Sequence, residues 1–82
     1  MDKRFLNKVV DQLVRETEID YDGGRIYTPL SSLHPLSLYP FPPPIFRPFF
    51  SKHCKEVYGL NYEETEYVWD EYREIIIDMS PL

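Results

Sequence analysis

Few residues of this chain are of the types that carry out chemistry, and their spacing argues against most of it. His53 and Cys54 are adjacent in a stretch with helical periodicity, and there is no second cysteine to complete a thiolate or metal pair. Neighbours on a helix point about 100° apart, so this dipeptide does not converge on one ion; both residues read as structural. The other histidine, His34, stands alone in a proline-rich stretch. Asp20-x-Asp22-Gly23 has the outline of a calcium loop, but the twelfth position, where a bidentate Glu belongs, is Ser31. The acids Glu63, Glu66, Asp70, Glu71, Glu74 and Asp78 offer many carboxylate pairs, yet a solvated helix face accounts for them. There is no glycine-rich phosphate loop and no nucleophile motif. The expectation is a protein without catalytic, cofactor or metal residues, and not an enzyme.

Charge narrows the partners. The net charge is −5 over 82 residues, which disfavours general affinity for nucleic acid or anionic membranes. Helix, short turn and longer helix over 48–80 have the order of a helix-turn-helix. However, from Tyr62 to Ser80 there are seven acids and one base, Arg73, so phosphate would repel the would-be recognition helix. No apolar run approaches the roughly 20 residues of a membrane span, and the first residues hold no apolar leader segment. With a lone cysteine, this composition points to a reducing cytoplasm.

The elements that would position a binding surface are legible in outline. Phe5, Leu6, Val9, Val10, Leu13 and Val14 fall on one face of an amphipathic helix, expected over 1–19 with Asp2 as its cap. Asp22-Gly23-Gly24 then marks either the end of that helix and a tight turn, which is the reading favoured, or a hairpin. In a hairpin centred on the glycines, Asp22 would face Arg25 and Tyr21 would face Ile26. Further on, Pro48 suits the first turn of a helix bearing Phe50, Cys54, Val57 and Tyr58 on one face, with Phe49 at its edge. Gly59 ends it in a left-handed conformation. Asn61 and Glu64 form a capping box. Thr65, Val68, Trp69, Tyr72, Ile75, Ile76 and Met79 then make one stripe, which Pro81 ends.

Between them, residues 20–47 hold the turn and a strap that carries no formal charge from Tyr27 to Ile45. Seven of the eight prolines lie between Pro29 and Pro48, which excludes regular helix or central strand. Its leucines and aromatics are too apolar for a disordered linker. The expectation is an ordered, extended strap, polyproline II around Pro40–Pro44, covering the helices with Phe41, Ile45, Phe46, Phe49 and Phe50. FPPPI at 41–45 also resembles the ligands of polyproline-binding domains, which would make the strap a presented peptide instead.

The fold class is thus mainly α: a small single domain with an N-terminal amphipathic helix, an ordered proline- and aromatic-rich strap and a C-terminal helix pair. On the last helix, Tyr67 and Ile77 lie more than about 120° from the centre of the apolar stripe, among acids that include Asp70 and Glu74. These four residues form the candidate partner surface, for a protein partner or a homo-oligomer. FFSKHCKEVYGLNYEETEYVWDEYREII, together with VVDQLVRETEIDYD and RIYTP, resembles small proteins encoded by tailed phages of marine bacteria, cyanophages among them. The resemblance implies expression in an infected bacterium, and makes eukaryotic polyproline-binding partners irrelevant. The function expected is a non-catalytic protein-interaction module acting on a host protein or by self-association; the alternative is a virion structural or assembly component.

Overall fold

The computed structural model describes residues 2–28, 36–37 and 41–79. His34, Leu38, Tyr39, Pro81 and the expected strap course over 29–35 and 38–40 lie outside the described residues. The described residues are mainly helical, with three helices and one small sheet.

Helix α1, Lys3–Arg15, starts where Asp2 Oδ1 accepts from the Arg4 and Phe5 N–H groups at 3.1 and 3.3 Å. This satisfies two donors that a helix start leaves open. Its apolar stripe buries Leu6, Val9, Val10 and Leu13, while Phe5 at the edge stays exposed. The helix stops four residues before the expected boundary at 19. Thr17 turns its hydroxyl onto the Leu13 carbonyl (2.7 Å) and its N–H onto that of Val14 (3.2 Å). Beyond it, the alternation of Glu18-Ile19-Asp20 has the period of a strand.

The sheet comprises β1 (Glu18–Asp20), β2 (Arg25–Tyr27) and β3 (Leu36–Ser37), antiparallel in that order. Ile19, Ile26 and Leu36 stand in one row across it. They carry its inward face, with Ile26 fully buried. The favoured helix-and-turn reading is therefore corrected to a hairpin, and the alternative register is corrected as well. Asp20 faces Arg25 and Ile19 faces Ile26, around a four-residue loop. The cause is local. Asp20 Oδ1 accepts from the Gly23 N–H at 3.0 Å and closes the loop. A Cβ on Gly23 would sit 2.4 Å from Asp20 Oδ2, so any other residue there would push the carboxylate aside. The Asp20 carboxylate of the calcium-like motif thus serves its own turn.

Phe41 to Ile45 pass through bends and a turn rather than a polyproline run, with the Phe46 N–H donating to the Pro43 carbonyl at 2.9 Å. Helix α2, Phe46–Tyr58, begins two residues before the expected boundary and holds Pro48 in its first turn, where no N–H is required. Gly59 closes it at φ 67°. The Gly59 and Leu60 N–H groups bond the Lys55 and Cys54 carbonyls at 3.1 and 3.2 Å, so the left-handed glycine satisfies two carbonyls that the helix end leaves open. Helix α3, Tyr62–Met79, follows the expected capping box. Glu64 N–H donates to Asn61 Oδ1 and Asn61 N–H to Glu64 Oε1, both at 2.9 Å.

The two helices close on a cluster of aromatic rings. Phe46 is fully buried and lies 5.6 to 6.1 Å, centroid to centroid, from Phe41, Trp69, Phe50 and Tyr72. Phe50 meets Trp69 edge-on at 4.9 Å. Such pairs contribute about 0.5–1.5 kcal/mol each beyond the area they bury. Phe41, Phe46 and Phe50 thus pack inward as expected. Ile45 and Phe49 do not; both are exposed, as is Val57, 59% exposed at the end of α2. Leu60, folded back by the left-handed turn at Gly59, occupies the buried position at that end instead.

Candidate functional site

Helix α3 runs alongside α1 in the same direction. Tyr67 reaches Asn7 in α1, Tyr72 reaches Thr17 just beyond its end, and the Tyr21 hydroxyl in the following turn donates to the Met79 carbonyl at 2.7 Å, so the partners advance along α1 and the segment after it as they advance along α3. The inner side of α3 buries Thr65, Val68, Tyr72 and Ile76, with Trp69 and Ile75 half-buried beside them. Met79, expected in this stripe, is exposed at the helix end.

The outer side carries the candidate residues. Asp70, Glu74 and Ile77 are solvent-exposed, Ile77 at 46%. They lie within one arc of α3 at about 100° per residue. Tyr67 departs from expectation. It is half-buried against the core edge, and its hydroxyl donates to Asn7 Oδ1 at 2.8 Å. A tyrosine is long enough to lie sideways across the α1–α3 seam, so its wheel angle alone misplaces it. The surface it leaves is strongly acidic, with Glu63, Glu71 and Asp78 also exposed. The one base on α3, Arg73, stands 3.8 Å from Asp70.

Beside this acidic face, α1 exposes Lys3, Arg4, Lys8 and Arg15 against a single helical acid, Asp11. The sequence reading assigns these bases no role. Their spacing opposite the Leu6–Leu13 stripe was the available signal.

Of the residues with reactive side chains, Cys54 and Tyr72 are buried and His53 is half-buried. Cys54 is fully buried, and burial pushes its thiol up to about 12 despite the opposing charge of Arg47. A thiol held neutral at pH 7 offers little of the thiolate that acts as a nucleophile. His53 is held below its ordinary value by burial, against the pull of Glu16 and Glu56, and its ring meets Tyr58 edge-on at 5.8 Å. Its Nε2 is buried with no hydrogen-bond partner among the described residues. Tyr72 is buried, and desolvation pushes its phenol up to about 12 while hydrogen bonds to Thr17 and Thr28 oppose the shift. Thr17 spends its one proton on the Leu13 carbonyl, so Tyr72 donates to Thr17 Oγ1 at 2.7 Å. Arg47 forms an ion pair with Glu66, and its guanidinium lies 4.9 Å over the Trp69 ring.

A notch of about 240 Å³ opens between Arg47, Ser51 and Lys55 of α2 and Leu60, Tyr62 and Thr65 at the start of α3. Arg47 Nη1 is itself buried from solvent, so it does not present a donor to that opening. Among the described residues no group of three or more His, Cys, Asp or Glu is placed to hold a metal ion. No described helix is long and apolar enough to cross a membrane. Comparison with family models, curated proteins and solved structures gives no match.

Proposed function

We propose that this chain is a non-catalytic protein-interaction module, phage-encoded and acting in the cytoplasm of an infected bacterium on a host protein or on itself. The carrying observation is the outer side of α3, where Asp70 and Glu74 flank the exposed Ile77. Acids ringing an apolar contact suit a basic partner with an apolar anchor, because charge steers the encounter and the buried side chain holds it. The phage origin is supported by the resemblance of the C-terminal helix pair. The second reading, a virion structural or assembly component, draws on the basic face of α1 beside the acidic face of α3, a pattern suited to self-association.

The test is a tagged pull-down from bacterial lysate with wild type, Ile77→Lys and Asp70→Lys/Glu74→Lys, read by mass spectrometry. The expected result is one stoichiometric basic protein, or the chain itself, lost in both variants while the helical circular dichroism is kept. Capture that is indifferent to both variants would remove α3 as the binding face. Tyr67→Phe, which deletes only the bond to Asn7, should leave capture unchanged.

A further inference from the structure

We propose that the chain pairs with a second copy of itself through the layer formed by α1 and α3, about a two-fold axis running parallel to the two helices. The inference rests on reading the α3 face as an interaction surface, and it names the partner.

The argument is one of pattern. α1 presents Lys3, Arg4, Lys8 and Arg15 with one acid between them, and α3 exposes Glu63, Asp70, Glu71, Glu74 and Asp78 against one base, Arg73. The helices lie side by side and run in the same direction, joined at the seam by the Tyr67–Asn7 hydrogen bond. The layer therefore carries a positive stripe and a negative stripe in parallel. A two-fold axis along the seam exchanges left and right without reversing the helices, so α1 of each copy lies over α3 of the other. Both contacts are then attractive, and the interface is isologous. An axis across the helices would set base on base and acid on acid. A basic protein covering α3 would meet repulsion from the neighbouring α1, whereas a second copy carries the required acid and base side by side. Ile77, exposed within the acidic stripe, supplies apolar contact in each half. Exposed ion pairs are individually weak and are screened beyond about 10 Å at 0.1 M salt, so the dimer is salt-sensitive.

The test is sedimentation velocity with two reversal variants, Arg4→Glu/Lys8→Glu on α1 and Asp70→Lys/Glu71→Lys/Glu74→Lys/Asp78→Lys on α3, which leave α1 with three acids against two bases and α3 with five bases against three acids. Wild type should dimerise in about 20 mM salt and dissociate in about 0.5 M. Each variant alone has like charge on both stripes and should associate at least about tenfold more weakly. An equimolar mixture should pair again, because each helix of one variant meets its opposite on the other. A monomeric wild type at low salt, reversal variants that dimerise like wild type, or a mixture that stays monomeric would each overturn the proposal. Should a reversal variant fail to fold, Lys8→Gln and Glu74→Gln carry the same test: each should flatten the salt dependence, and an unchanged dependence counts against the pairing. A monomeric wild type that still captures a basic protein through Asp70 and Glu74 would remove the self-pairing and leave the α3 reading standing. A monomer with no such capture would remove both.

Discussion

Tyr72→Phe isolates the polar centre of the core. It removes one buried oxygen and leaves the ring that stacks on Phe46 and packs against Phe50. Two hydrogen bonds go with it, to Thr17 and to Thr28. Thr17 keeps its donor satisfied by the Leu13 carbonyl, so no proton is stranded there. At about 1 kcal/mol per net hydrogen bond the cost is roughly 1–2 kcal/mol. In a domain of this size that lowers Tm by roughly 5–15 °C. The same hydroxyl makes stability pH-dependent. Its folded value of about 12 lies above the ordinary 10.0, so the neutral phenol is favoured by folding. Stability is complete below pH 10 and falls by roughly 2–3 kcal/mol as pH rises through 12, because the unfolded chain releases the proton first. Thermal unfolding followed by circular dichroism at pH 7 and along a series to pH 12 measures both effects. Tyr72→Phe should melt lower at pH 7 and decline less steeply above pH 10. A variant as stable as wild type at pH 7 with the same alkaline slope would refute the network.

Cys54 should resist alkylation in the native state at pH 8 and react on unfolding. Its raised value adds a second loss of stability between pH 9 and 12, which Cys54→Ala should reduce in the same melts. Asn61→Ala breaks the capping box and should cost about 1 kcal/mol in urea unfolding. Gly59→Ala meets no atom within 4 Å, so its cost, about 1 kcal/mol, comes from the left-handed backbone alone. Urea midpoints unchanged in both would show that the α2–α3 turn does not contribute to stability.

What the sequence disclosed depended on how local each cause was. The capping box of Asn61 and Glu64, the stop at Gly59 and the cap at Asp2 involve partners three or four residues apart, and each was readable. The stripe of α3 was readable because its period is regular. The hairpin register was not. It follows from the Asp20 carboxylate folding onto the Gly23 amide, which widens the loop to four residues, whereas residue spacing had suggested a turn on the glycines. Val57 was misplaced because the left-handed turn at Gly59 returns Leu60 over the helix end. Tyr67 was misplaced because its partner, Asn7, lies sixty positions away and no wheel drawn on one helix contains it. Of the candidate surface, Asp70, Glu74 and Ile77 were legible as a face; the complementary bases of α1 gained meaning only when the two helices were seen to lie side by side.

The most direct measurement is an amide nuclear magnetic resonance dilution series on isotope-labelled wild type in low salt. Pairing through the helical layer predicts concentration-dependent shifts at Arg4, Lys8, Asp70, Glu74 and Ile77, with Lys52 and Glu56 on α2 unchanged. Spectra that do not change with concentration, or shifts confined to Phe49 and Lys52, would contradict it.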